Sequence, residues 1–138
     1  PDAPSAEPPD MGALRQLVSY GVVGGLQLLL DWACFVGLTA AGVAVVPANL
    51  AGRIAGACLG FWLNGRYTFA RGGVPTLSRR HAGRFVLFWL ATTAASTLAV
   101  HAIDAREGLQ AAWLLKPLVE ALLAVLGFLA ARHWIYRP

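Results

Sequence analysis

Asp31, Arg53, Lys116 and Glu120 are ionisable residues set in stretches otherwise apolar enough to cross a membrane. On insertion scales such a side chain at the bilayer centre costs about 2.5–3.5 kcal/mol, so these residues pair with one another or face a watery path. Two acids and two bases sum to zero, which suggests mutual pairing around a polar cavity. Lys116 and Glu120 stand four apart, a spacing that puts both on one face of a helix. The arrangement reads as a transport pathway more readily than as an anchor. Its competitor is a set of fixed salt bridges holding helices together.

The rest of the chain has to place these groups. It has 138 residues, 57% hydrophobic and 13% charged, with a mean hydropathy of +0.59. A soluble domain carries about twice that charge share, so one integral membrane domain is expected. The first ten residues hold four prolines and three acids and no apolar run of a cleavable signal. Residues 1–13 therefore read as a disordered tail. Cys34 and Cys58 both fall in apolar spans and read as small buried side chains, not as a disulfide.

Four spans follow: Leu17 to about Val43, Val46–Asn64, Phe85–Ile103 and Leu109–Ala131. Each is long enough, at about 1.5 Å per residue, for a hydrocarbon core near 30 Å. Pro47 suits the first turn of a helix, whereas Pro117 should kink the fourth helix and free a backbone carbonyl. Small residues recur every fourth position as Ala48-Gly52-Gly56-Gly60, Gly21-Gly25 and Ala91-Ala95-Ala99, a pattern that lets helices approach closely.

Orientation follows from the basic residues. Arg15, Arg66, Arg71, Arg79, Arg80, Arg84, Arg132 and Arg137 fall on one side, against Arg106 on the other. The positive-inside rule then puts both termini in the cytoplasm. It also accounts for a pI near 9.7, so no nucleic-acid partner is expected.

The second and fourth spans align without gaps at an offset of 67 residues. Asn49 falls on Lys116, Arg53 on Glu120, Phe61 on Phe128, and Tyr67-Thr68-Phe69 on Trp134-Ile135-Tyr136. Two hairpins of the same orientation, residues 14–70 and 84–137, imply a parallel repeat about an axis along the membrane normal. The expected fold is an all-α membrane protein of four transmembrane helices, two repeated hairpins within a domain at 14–138.

Several residues carry a family likeness. The first span is Gly-rich and carries an acid, from Tyr20-Gly21-Val22-Val23-Gly24-Gly25 to Asp31. Ala48-Asn49 opens the second span, Phe61-Trp62-Leu63-Asn64-Gly65-Arg66-Tyr67-Thr68-Phe69 closes it, and Lys116 stands near the start of the fourth. Over about residues 14–137 the chain resembles the GtrA-like family of small four-helix bacterial membrane proteins. The exit of the second half, Phe128 to Tyr136, is a degenerate version of the Asn-rich exit usual there.

The resemblance implies a flippase of the bacterial inner membrane. It would move a polyprenyl-phosphate-linked monosaccharide from the cytoplasmic to the periplasmic leaflet for cell-surface polysaccharide modification. Such a head group carries an anionic phosphodiester and many hydroxyls. Arg53 or Lys116 would meet the phosphate, and Asp31 or Glu120 the hydroxyls, with Asn49 beside them. Asn64, Arg66, Arg84 and Arg132 form a candidate cytoplasmic phosphate-capture site, although the positive-inside rule alone explains the arginines. Membrane lipids, a second copy of the chain and a glycosyltransferase are the expected partners.

No hydrolytic or metal-binding pattern is visible. His81, His101 and His133 are scattered, and the glycines at 21–25 lie inside a span and do not form a phosphate loop. No enzyme and no cofactor are expected. Two other readings compete: a scaffold that recruits a glycosyltransferase, and a small multidrug-type efflux transporter. Against the latter, Arg53 and Lys116 would repel a cationic drug.

Overall fold

The computed structural model describes residues 9–63, 79–130 and 133–134. It contains α1 (Pro9–Ala40), α2 (Val45–Leu63), α3 (Arg79–Glu107) and α4 (Leu109–Ala130), with no strand among the described residues. Helix α1 begins at Pro9, so the last five residues of the expected disordered tail are helical, with a proline in the first turn where its missing N–H costs nothing. Residues 1–8 lie outside the described residues.

Segments Leu17–Ala40, Ala82–Glu107 and Leu109–Ala130 are long and apolar enough to cross a membrane. Helix α2 has 19 residues, about 28 Å of rise, and carries Asn49 and Arg53. Each helix packs on its neighbours in the ring α1–α2–α3–α4, most closely within the pairs α1–α2 and α3–α4. These pairs are the two expected hairpins.

Both hairpins turn on a glycine. Gly42 has φ +98° and Gly108 has φ +92°, a left-handed backbone that L side chains rarely adopt. At the first turn Val43 N–H donates to Leu38 O at 2.9 Å and Gly42 N–H to Thr39 O at 3.1 Å, a Schellman closure. At the second, Gly108 N–H donates to Asp104 O at 3.0 Å, the simpler one-bond closure.

The bundle is polar inside and apolar outside. Among the described residues, eight polar or charged side chains are buried against five apolar ones, Val23, Phe35, Ala48, Val100 and Ala112. Large apolar residues such as Phe61 (85% exposed), Leu114 (78%) and Leu98 (70%) point outward. In water that surface would drive aggregation; against lipid tails it is the favourable choice.

Of the three small-residue stripes, only the one on α2 packs helices. Gly52, Gly56 and Gly60 are buried on α1. A Cβ at Gly52 would sit 2.6 Å from the backbone carbonyl oxygen of Asp31, and one at Gly56 would sit 3.0 Å from that of Gln27. By contrast, a Cβ at Gly21 or Gly25 would meet nothing within 4 Å, and Ala91 and Ala95 are exposed. Cys34 is half-buried and Cys58 exposed, both unbonded, so the expectation of a buried Cys58 is corrected.

Candidate functional site

The four charges form one chain of contacts across the bundle. Lys116 Nζ on α4 lies 3.1 Å from Asp31 Oδ1 on α1 and 2.9 Å from Glu120 Oε1 one turn along its own helix. Glu120 Oε2 in turn lies 2.5 Å from an Arg53 nitrogen on α2. The order is acid, base, acid, base. The Asp31–Lys116 contact is ionic without hydrogen-bond alignment, since Asp31 Oδ1 receives no directed donor. Lys116 is fully buried, and Phe35 places its ring centroid 5.3 Å from the ammonium.

Asn49 completes the layer. Its Oδ1 accepts from Lys116 Nζ at 2.6 Å, and its Nδ2 donates to Ser96 Oγ at 3.2 Å and Thr97 Oγ1 at 3.0 Å. Ser96 Oγ donates to Glu120 Oε1. Helix α3 then holds Arg53: Nε donates to Thr93 Oγ1 at 2.8 Å and a terminal nitrogen to Thr92 Oγ1 at 3.0 Å. Arg53 also lies over the Trp89 ring, 5.8 Å from its centroid. All five residues expected to meet a head group are thus in one connected network.

Thr92, Thr93, Ser96 and Thr97 were the members that sequence reasoning missed. They recur at i, i+1, i+4 and i+5, a single helix face, and that spacing was the available signal. Gln27 was passed over as well; its Nε2 donates to the Gly56 carbonyl at 3.1 Å and ties α1 to α2.

Pro117 does what a proline inside a helix requires. Lacking an N–H, it leaves the carbonyl of Trp113 without its helical donor. Trp32 Nε1 on α1 takes that oxygen at 2.7 Å, and Trp113 Nε1 donates to Thr39 Oγ1 at 2.8 Å. The freed carbonyl becomes an interhelical bond joining α1 to α4.

Two hollows are lined by none of the network side chains. One, of about 370 Å³, opens beside the Gly42 and Gly108 turns and is lined by Thr39, Val43–Val46, His101, Asp104 and Leu109. The other, of about 200 Å³, is an apolar groove between α2 and α3. Of the candidate cytoplasmic set, Arg84 donates to the Trp134 carbonyl at 2.8 Å and lies over that ring. Asn64, Arg66 and Arg132 lie outside the described residues. Among the described residues no group of three or more His, Cys, Asp or Glu side chains could hold a metal ion.

Four helices with charges facing in and apolar side chains facing out define a multi-pass membrane protein. The chain belongs to the family described as GtrA/DPMS, transmembrane domain, whose model matches residues 19–136. The likeness drawn from Tyr20–Asp31, Ala48-Asn49 and Lys116 is thereby confirmed. The domain links the protein to lipid-linked sugar handling, and the family is generally a non-catalytic one. No curated protein and no solved structure matches the chain significantly.

Proposed function

We propose that the protein is a flippase carrying a polyprenyl-phosphate-linked monosaccharide from the cytoplasmic to the periplasmic leaflet of a bacterial inner membrane, with both termini cytoplasmic. One observation carries the reading. The bundle centre holds a charge layer whose guanidinium, Arg53, is held by hydroxyls and by a single carboxylate. A phosphodiester is the anion best able to replace that carboxylate on the same fork. Arg53 would then trade Glu120 for the phosphate, while Asp31, Asn49 and the freed Glu120 accept from sugar hydroxyls. Lys116 keeps a counter-ion throughout, because Asp31 remains beside it.

The family membership supports the substrate class, and the polar layer supplies groups for both parts of the head. A homodimer would widen the wall around the sugar beyond what four helices provide. Arg84, with Asn64, Arg66 and Arg132, would gather the phosphate at the cytoplasmic face.

A specific observation favours a second reading. Every charge in the network already has an opposite neighbour, and the described hollows lie elsewhere. A membrane scaffold that recruits a glycosyltransferase needs nothing more.

Proteoliposomes loaded with a short-chain polyprenyl-phosphate sugar separate the two. The readout is how fast the head group becomes accessible to a membrane-impermeant reagent. A flippase gives protein-dependent exposure that collapses in Arg53→Ala and Asp31→Asn. Rates equal to empty liposomes for several sugars would favour the scaffold.

A further inference from the structure

The buried layer is electrically neutral as it stands. Asp31 and Glu120 supply two negative charges, Arg53 and Lys116 two positive ones, and each carboxylate lies against a cation. Glu120 meets a cation on each oxygen, Arg53 at Oε2 and Lys116 at Oε1. Asp31 meets Lys116. Fully buried Lys116 therefore stands between two acids.

The charged groups facing Glu120 are Asp31 on α1, Arg53 on α2 and Lys116 on its own helix. Helix α3 faces it with hydroxyls, of which Ser96 donates to Oε1. The nearest titratable residue along α3 is His101, which is exposed and five positions past Ser96, about 7.5 Å of rise.

An arriving anion breaks this neutrality. Once a phosphodiester replaces the Glu120 carboxylate on Arg53, three negative charges face two positive ones. Lys116 can neutralise one of the two acids beside it and not both. Uncompensated charge is costly at membrane depth, and a carboxylate so placed becomes neutral by binding a proton.

We propose that the layer takes up one proton with each anion it binds, and that the proton lands on Glu120. The inference rests on the reading of Arg53 as the phosphate-binding cation, but its content is the charge count, which holds for any singly charged anion on that fork. The step balances. The Arg53–Glu120 ion pair opens, an O–H bond forms at the Oε2 that Arg53 leaves, and water supplies the proton. Two matched pairs remain, Arg53 with the anion and Lys116 with Asp31, beside a neutral carboxyl. Oε1 keeps Ser96 and Lys116 as donors, so the rest of the layer stands. Loss of the proton restores Glu120 as a competitor for Arg53 and expels the anion. The loaded form holds one proton more than the empty one, so affinity weakens as pH rises, by up to about tenfold per pH unit.

The test is isothermal titration of the full chain in detergent with a short-chain polyprenyl-phosphate sugar. Repeating it in buffers of different ionisation enthalpy counts the protons taken up. A phosphodiester has no second ionisation near neutral pH, so the ligand contributes none. The wild type should take up about one proton per molecule bound. A carboxylic C=O band should appear in its infrared difference spectrum on binding, unmoved by carboxyl-labelled aspartate.

Asp31→Asn and Glu120→Gln each leave a single acid, which Lys116 neutralises. Both should bind with no proton uptake and with an affinity flat across pH. Asp31→Asn and the wild-type spectrum decide the matter if Glu120→Gln does not fold. A band that shifts with labelled aspartate would put the proton on Asp31 and overturn the assignment. Binding without proton uptake, with or without a dependence on sodium, overturns the coupling and leaves the flippase reading intact. No binding by the wild type, or binding unaltered in Arg53→Gln, overturns the phosphate reading and the coupling with it.

Discussion

Arg53 and Glu120 occupy equivalent places in the two halves of the chain, 67 residues apart, and are bonded to each other. The same is true of Asn49 and Lys116. Residues related by a two-fold axis can touch only if they lie beside that axis. A two-fold axis relating the two aligned hairpins would therefore have to pass through the charge layer, between α2 and α4.

Glu120 serves two cations, Lys116 and Arg53, and accepts from Ser96, whereas Asp31 serves Lys116 alone. Glu120→Gln should therefore destabilise the bundle more than Asp31→Asn. Breaking a buried pair from one side costs about 3–5 kcal/mol, and the paired change Arg53→Met with Glu120→Met should recover much of that. Thermal unfolding in detergent, run as a double-mutant cycle, measures both. Equal losses for the two acids would contradict the shared role of Glu120.

Gly52→Ala should force α1 and α2 apart, since the added methyl meets the Asp31 carbonyl, which is backbone and cannot swing aside. Overpacking of this kind costs about 1–3 kcal/mol. At Gly60 the obstacle is the side-chain end of Gln27, which can move, and at Gly21 nothing stands in the way. The predicted order of melting-temperature loss is Gly52→Ala, then Gly60→Ala, then Gly21→Ala with none.

Trp32→Phe removes the donor that Pro117 made necessary. In the wild-type background it should cost about 1–3 kcal/mol, the penalty of an orphaned buried acceptor. With Pro117→Ala, the helix supplies its own N–H to the Trp113 carbonyl and the same change should cost much less. A coupling near zero between positions 32 and 117 in a stability cycle would refute the assignment.

Orientation is open to a labelling experiment. In a background with Cys34→Ser and Cys58→Ser, Glu107→Cys should react with an impermeant maleimide added outside spheroplasts. Arg79→Cys should react only after permeabilisation. The reverse pattern would turn the molecule over and exchange the two leaflets in the proposed mechanism.

Much of this was legible in the chain itself. The number of helices and the hairpin pairing came from hydropathy, whereas α1 stops at Ala40 and not near Val43, and α3 runs over Arg79–Glu107, beyond the expected Phe85–Ile103 at both ends. The freed carbonyl came from Pro117, and zero net charge pointed to mutual pairing. Which acid meets which base was hidden. Asp31 and Arg53 lie at similar depth on adjacent helices, yet they bind Lys116 and Glu120 respectively, because both side chains reach to α4 and not to each other. The hydroxyls at 92, 93, 96 and 97 were hidden because Ser and Thr barely dent an apolar span. Gly21 and Gly25 misled by carrying the right spacing on a face that touches nothing.

Complementary charges at equivalent positions have a consequence for assembly. Two copies of the first hairpin, related by the same axis, would set Arg53 against Arg53; two copies of the second would set Glu120 against Glu120 and Lys116 against Lys116. Each like pairing leaves uncompensated charge in a medium that solvates it poorly. The hairpins have become non-interchangeable parts: made as separate chains, they would assemble as an unlike couple and reject themselves.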